Sequence, residues 1–307
     1  MSLPGVVILL ALAADVALGD PPSRWHPVAW MGRAIAFGRR LAGGSPAALL
    51  LRGAGVVFVV AALAALGGWA VTLAAARLGA PGLVLEALGL KLTFAVRGLA
   101  TAASAVARAL ERGDLAAARN GVARDLVSRP TAALDDARVA SAAIESVAEN
   151  LTDSVVAPLV YYALFGLPGA ALYRAVNTAD AMIGYRDGVL EHFGKPAARL
   201  DDVLNFVPAR LAALALLAGA AIAGADARRG LAVMRRDRRR TSSPNAGWTM
   251  AAMAGALGVT LEKPGHYVLG DGRPPQAGDV VRSVALLWRA ALLWVLLVAV
   301  LSILIST

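Results

Sequence analysis

Apolar residues along this chain gather into blocks, and two of the blocks are long enough to cross a bilayer. A helix needs about 20 apolar residues to span the hydrocarbon. Ala54–Ala76 meets that length without a charge, and Ser283–Ile305 carries only Arg289, near its start, where the side chain can snorkel to the interface. The opening block, Leu3–Gly19, contains Asp15, has no basic residue ahead of it and meets its first cation at Arg24. It predicts a retained helix with its N-terminus outside rather than a cleaved leader.

Three further blocks are ambiguous. Gly82–Ala107 includes Glu86, Lys91 and Arg97, so it reads either as a span or as an amphipathic helix. Leu204–Ala225 is long enough, with Pro208 and Arg210 in its first turns. Val155–Val176 is interrupted by Gly166, Pro168 and Gly169, which divides it into halves too short to cross alone. Broken segments occur at membrane depth only where protein or a cavity surrounds them, so a re-entrant hairpin and a span both remain open. Between the blocks, Arg108–Asp153 is polar and mildly acidic and predicts helices outside the bilayer. No repeat, low-complexity tract or long linker divides residues 1–307, and β-type alternation is absent. The expected fold is therefore one all-α, membrane-embedded domain, polytopic, with about four to six membrane segments, spanning or re-entrant, plus cytoplasmic helices.

Composition sharpens this picture. Of 307 residues, 58% are apolar and 17% charged, with a mean hydropathy of +0.63; soluble domains average about 45–50% and about 25%. Having no cysteine excludes disulfide scaffolds, thiolate metal sites and cysteine nucleophiles together. The net charge of +9 is almost wholly arginine, the only lysines being Lys91, Lys195 and Lys263. Such a balance points to an anionic lipid surface and not to nucleic acid. Asp20–Arg52 holds five arginines and Asp226–Arg240 holds seven, so both stretches are expected on the cytoplasmic side. Spanning assignments for all the central blocks cannot keep both there, which leaves the topology open.

Carboxylates at membrane edges are costly and are functional candidates by default. The first cluster is Glu145-x-x-x-Glu149-Asn150-x-x-Asp153, running into apolar Val155. On a helix this spacing stacks three like charges on one face, which disfavours the helix unless a cation sits among them. Mg²⁺, held by one or two carboxylates plus substrate phosphates, would satisfy that; pairing with Arg124 or Arg138 is the plainer alternative. A second cluster, Asn177-Thr178-x-Asp180, leads to Gly184-Tyr185-Arg186. A third, Asp201-Asp202-x-x-Asn205-x-x-Pro208-x-Arg210, reads either as a metal–phosphate site or as a helix cap. A fourth, Ser243-Pro244-Asn245-Ala246-Gly247, follows an arginine run at 235–240. Its backbone N–H groups could cup an anion, or it simply caps the next helix while the arginines meet lipid headgroups. A fifth runs from Gly19-Asp20-Pro21 through His26-Pro27-Val28 to Met31-Gly32. There is no P-loop, no G-x-S-x-G elbow and no H-E-x-x-H. Scattered carboxylates without cysteine favour Mg²⁺-assisted chemistry on phosphorylated species.

Taken in order, these five motifs resemble the membrane-bound adenosylcobinamide-phosphate synthase family of cobalamin biosynthesis, the CobD/CbiB family, over nearly the whole chain. The resemblance implies an ATP-dependent amide ligase that joins the propionate carboxylate of adenosylcobyric acid to aminopropanol phosphate or aminopropanol, most simply through an acyl phosphate. It implies ATP and Mg²⁺ as cofactors and the cytoplasmic (inner) membrane of a bacterium as location, with the site on the cytoplasmic face. Neighbours would be the bilayer and other membrane-bound enzymes of the pathway. Applied to the clusters, it suggests Glu145, Glu149, Asn150, Asp153 and Asp180 for the chemistry. His26, Asn177, Arg186, Asn205, Arg210, Ser243, Asn245 and Gly247 would hold substrate or phosphate, and Glu149, Asp153, Asp201 and Asp202 would hold the metal. Two other classes compete: a Mg²⁺-dependent intramembrane prenyltransferase using Asn177/Asp180 and Asp201/Asp202, and a transporter or assembly scaffold. The prenyltransferase lacks the full D-D-x-x-D spacing, and the polar clusters lie at segment edges rather than mid-membrane, against a transporter.

Overall fold

The structure, a computed structural model, describes residues 4–306; Leu3, at the head of the first predicted block, lies outside the described residues. In chain order the first helices are Pro4–Leu18 (α1), Pro27–Gly38 (α2), Pro46–Leu78 (α3), Ala80–Lys91 (α4), Val96–Glu111 (α5), Leu115–Asp125 (α6) and Asp136–Leu151 (α7). A π turn at Thr152–Val156 leads into Ala157–Ile183 (α8), followed by Leu190–Phe193 (α9), Lys195–Leu204 (α10), Phe206–Ile222 (α11), Ala227–Asp237 (α12) and Ala246–Leu257 (α13). An antiparallel hairpin, Leu261–Lys263 (β1) with Tyr267–Leu269 (β2), precedes Ala277–Ser306 (α14). The helix starts follow local chemistry. Proline occupies the first helical position of α2 and α3, where its missing N–H costs nothing, and His26 and Ser45 cap them by accepting from Val28 N and Ala48 N.

Among the described residues, three helical stretches are long and apolar enough to cross a membrane: α3, the run Asp136–Ile183, and α14. A fourth is added if α10 and α11, bent by 50° at Asn205, count as one broken span. Helix α3 turns Leu51, Phe58, Leu63, Leu66 and Trp69 outward, an apolar surface that water would not tolerate and lipid does. The chain is an all-helical membrane protein. One block differs from the sequence expectation, and a second keeps its expected interruption. Gly82–Ala107 is not one continuous segment: Thr93 Oγ1 donates to Leu90 O at 2.7 Å and ends α4, so the block divides into helices of 12 and 16 residues. Val155–Val176 is helical on both sides of a break at Gly166, whose φ of 65° lies outside any right-handed helix, with Pro168 just beyond. The opening block forms α1, only 15 residues long.

The chain divides into two compact units, each assembled from separated stretches: residues 1–95, 157–205 and 295–307, and residues 96–156 and 206–294. The absence of a linker in the sequence reflects this interleaving. In the first unit α3 packs against α8 and α1 against α4, over a core that includes Ile35, Val57, Val60, Val176, Ile183 and Phe193. In the second, α12 packs on α13, and α5 on α6 and α7, with Ile144, Leu151, Leu216, Met250 and Met253 fully buried.

A glycine permits the close approach of α3 to α9. A Cβ on Gly53 would lie 1.8 Å from Phe193 O, whereas one on Gly55 would meet nothing within 4 Å. Gly53→Ala is therefore expected to destabilise the detergent-solubilised protein by roughly 1–3 kcal/mol through overpacking, while Gly55→Ala leaves the thermal unfolding midpoint nearly unchanged. Equal midpoints for the two variants would contradict the close crossing.

Candidate active site

In the first unit, the polar residues that interrupt apolar helices are wired together. Lys91, at the end of α4, is only 3% exposed and places Nζ 2.5 Å from Asp20 Oδ1. His26 Nδ1 accepts the N–H of Val28, which leaves the proton on Nε2, 3.7 Å from the same Asp20 oxygen. Beside His26 and Lys91 the Asp20 carboxyl is held well below the usual range, at about 2. A second chain of bonds joins the two middle motifs. Tyr173 donates to Asn205 Oδ1 (2.9 Å), Asn205 to Asp201 Oδ2 (3.0 Å), Asn177 to Asp201 Oδ1 (3.3 Å), and Arg174 to Asn177 Oδ1 (3.4 Å). Asp201 is buried, and each of its oxygens accepts from an amide. Asp202, its neighbour in the pair expected from the sequence to hold a metal, is half-buried one residue on. Asp180 lies one turn beyond Asn177, half-buried, and Arg186 is exposed in the turn after α8.

A polar cleft of about 410 Å³ opens in this unit, lined by Asp20, Ser23, His26, Thr93, Arg174 and Thr178 among others. An almost wholly apolar cleft of about 390 Å³, with Trp30, Met31, Leu63 and Leu167 in its wall, adjoins it and shares Leu92 and Thr93.

In the second unit the acidic motif is not one uniform face. Glu145 is 4% exposed and accepts from Ser141 (2.7 Å), Tyr267 (2.8 Å) and Arg129 (3.2 Å). Its cation is Arg129, since Arg124 pairs with Asp125 and Arg138 with Glu262. Burial and the Glu145 carboxylate raise the Tyr267 phenol above its ordinary range, so it stays protonated as the donor. Glu149 is exposed and Asp153 half-exposed. Asp153 sits in the π turn, a local widening of the helix that occurs often at functional sites. Asn150 bridges the two segments, donating to Ser146 O (3.0 Å) and accepting from Ser154 (3.0 Å).

The turn before α13 is locked internally: Thr241 donates to Ser243 O, and Ser243 Oγ accepts from Asn245 N. Asn245 occupies the cap position of α13 but makes no side-chain cap there; its Oδ1 accepts from Arg210 at 2.9 Å. The Arg210 guanidinium lies 3.7 Å from the Phe206 ring centroid and 4.5 Å from that of Trp248, whose ring also carries Arg238 at 4.3 Å. Cation–π attraction thus holds two guanidinium groups at one indole ring, and a guanidinium fork suits phosphate oxygens. Gly247 permits this turn, because a Cβ there would come within 2.3 Å of Arg238 O.

Among the described residues no group of three or more His, Asp or Glu is gathered round a metal position. Mg²⁺ does not need one, since one or two carboxylates plus phosphates and water complete its shell. Glu149 and Asp153, one turn apart and accessible, fit such a partial set. Sequence reasoning passed over Arg129, Arg174 and Tyr267. Lys91 and Arg174 did leave a signal, as charges inside apolar blocks, whereas Tyr267 lies 122 residues from Glu145 and carries none.

The family model described as CobD/Cbib protein matches residues 8–303. The chain is 43% identical over 298 residues to "Cobalamin biosynthesis protein CobD" of Dehalococcoides mccartyi, covering 95% of each chain. It is 44% identical over 265 residues to "Probable cobalamin biosynthesis protein CobD" of Methanothermobacter thermautotrophicus, 86% of each, and 41% identical over 281 residues to "Cobalamin biosynthesis protein CobD" of Klebsiella pneumoniae, 90% of this chain and 88% of that one. No solved structure matches it significantly.

Two outcomes follow from this geometry. Asp20→Asn leaves buried Lys91 without its anion and is expected to cost about 1–2 kcal/mol at pH 7, less than for a fully buried pair because Asp20 is a third exposed. Because the Asp20 pKa is depressed on folding, its stabilisation is complete above the ordinary carboxylate range and disappears as pH falls through about 2. Unfolding midpoints of wild type and variant should therefore converge as pH drops from 4 toward 2; a constant gap would refute the pairing. Tyr267→Phe removes one donor to Glu145 and should cost about 1–2 kcal/mol, again read by thermal unfolding.

Proposed function

This chain belongs to the CobD/CbiB family of cobalamin biosynthesis proteins, and on that footing we propose that it is an ATP-dependent acid–amine ligase. It would join the propionate carboxylate of adenosylcobyric acid to the amine of aminopropanol phosphate or of aminopropanol. A free carboxylate is a poor electrophile. Transfer of the terminal phosphoryl group of ATP to it gives ADP and an acyl phosphate; attack by the amine then forms the amide and releases phosphate and a proton.

The observation that carries this reading is the packing of the π turn bearing Asp153 against α11, which bears Arg210. That contact puts accessible carboxylates and an oriented guanidinium on touching elements. Arg210, fixed by Asn245 and stacked on Trp248, supplies directed donors for phosphate oxygens. Glu149 and Asp153 are the accessible carboxylates of this motif and would orient an ammonium or accept its proton. Glu145, already hydrogen-bonded to three donors, braces this helix against the hairpin instead. Mg²⁺, when bound, would offset charge on the phosphate oxygens beside Glu149 and Asp153. The prenyltransferase reading is weakened because Asp201 turns both oxygens inward. ATP is a cytoplasmic substrate, so the site belongs on the cytoplasmic face of the membrane.

Purified protein in detergent, given adenosylcobyric acid, ATP and Mg²⁺ with each amine in parallel, is expected to yield an amide product that requires ATP, read by mass spectrometry. Asp153→Ala should lower kcat by about 100-fold or more, the usual contribution of a positioned acid or base. No product with either amine, from protein shown to be folded, overturns the ligase reading. A wild-type rate in Asp153→Ala removes that residue from the assignment.

A further inference from the structure

We propose that the polar cleft of the first unit is a binding subsite for a short amino-alkyl phosphate, with Asp20 receiving the ammonium and Arg174 the phosphate. That this ligand is the amine donor rests on the ligase reading above. The cleft holds opposite charges in its wall, a carboxylate and a guanidinium, with Ser23 and Thr178 hydroxyls beside them. At Asp20 a single oxygen, Oδ1, takes up both Lys91 and His26, and among the described residues no contact is made to Oδ2. Lys91 and His26 thus hold the carboxylate charged and oriented in the cleft wall. Arg174 is held by Asn177, which is tied through Asp201 and Asn205 to the buried Tyr173 hydroxyl. Asn177, Asp201 and Asn205 come from two of the sequence motifs, and this geometry makes them, with Tyr173, positioning residues for the guanidinium. A short ligand charged at both ends matches this wall. It also distinguishes the polar cleft from its apolar neighbour, which offers no such pair.

Calorimetric binding of aminopropanol phosphate and of aminopropanol to the full-length protein in detergent, alongside ligation kinetics, tests this. Arg174→Gln is expected to weaken the phosphorylated amine roughly 10–100-fold more than the unphosphorylated one, the range for charge-assisted hydrogen bonds. Arg174→Lys should recover part of that loss. Asn177→Ala should raise KM for the phosphorylated amine with little change in kcat, which mere destabilisation would not do. Arg174-dependent binding in a protein that forms no amide upholds the subsite and removes the ligase reading. Ligation by wild type, with Arg174→Gln and Arg174→Lys shifting both amines equally or neither, overturns the subsite and leaves the ligase. Phosphatidylethanolamine carries the same ammonium–phosphate chemistry. If it co-purifies in an Arg174-dependent way while the soluble amine does not bind, the assignment to the amine donor is overturned.

Discussion

Charge inside an apolar protein has to bring its partner with it. Desolvating an isolated ammonium or carboxylate costs several kcal/mol even after relaxation, and a chain with 58% apolar residues offers few compensating groups. Lys91 against Asp20, Glu145 among Ser141, Tyr267 and Arg129, and Asp201 between two asparagine amides each meet that requirement with residues from distant parts of the sequence. The same requirement sorts the motif residues. Glu145 and Asp201 are buried among their partners, whereas Glu149 and Asp153 lie at accessible positions.

The interleaving of the two units supplies those partners. Each unit draws on separated stretches of chain, so a helix that leaves one unit enters the other without a linker. Along that path the regular helix is interrupted at the π turn Thr152–Val156, at Gly166 and at Asn205. Two of these three irregularities coincide with motif residues, Asp153 and Asn205. Departure from ideal helix geometry widens or turns the backbone, and there polar side chains can be aimed away from the apolar packing.

Both units carry chemistry suited to phosphorylated, charged ligands, achieved in different ways. The second orients guanidinium groups by stacking them on Trp248 beside accessible carboxylates. The first encloses a carboxylate and a guanidinium in the wall of one cleft, supported by a chain of neutral amides and a tyrosine. The ligase proposed above would need both kinds of recognition, since its substrates would bring phosphate groups and an ammonium together.

The sequence by itself determined the class of the molecule. Block length and arginine bias mark a helical membrane protein, because the cost of exposing apolar surface or burying charge is written residue by residue. The blocks that became α3 and α14 are legible on that ground alone, as are the five motifs. What only the tertiary structure decided is which member of each motif is buried and which is accessible. Glu145, Glu149 and Asp153 are equivalent by spacing, yet Tyr267 and Arg129 close over the first and leave the other two accessible. Asp201 and Asp202 are adjacent and identical in chemistry, yet Asp201 is buried between the amides of Asn177 and Asn205 while Asp202 is half-buried. Partners contributed from far along the chain leave no periodic trace, so side-chain accessibility, unlike hydropathy, emerges only once the helices have packed.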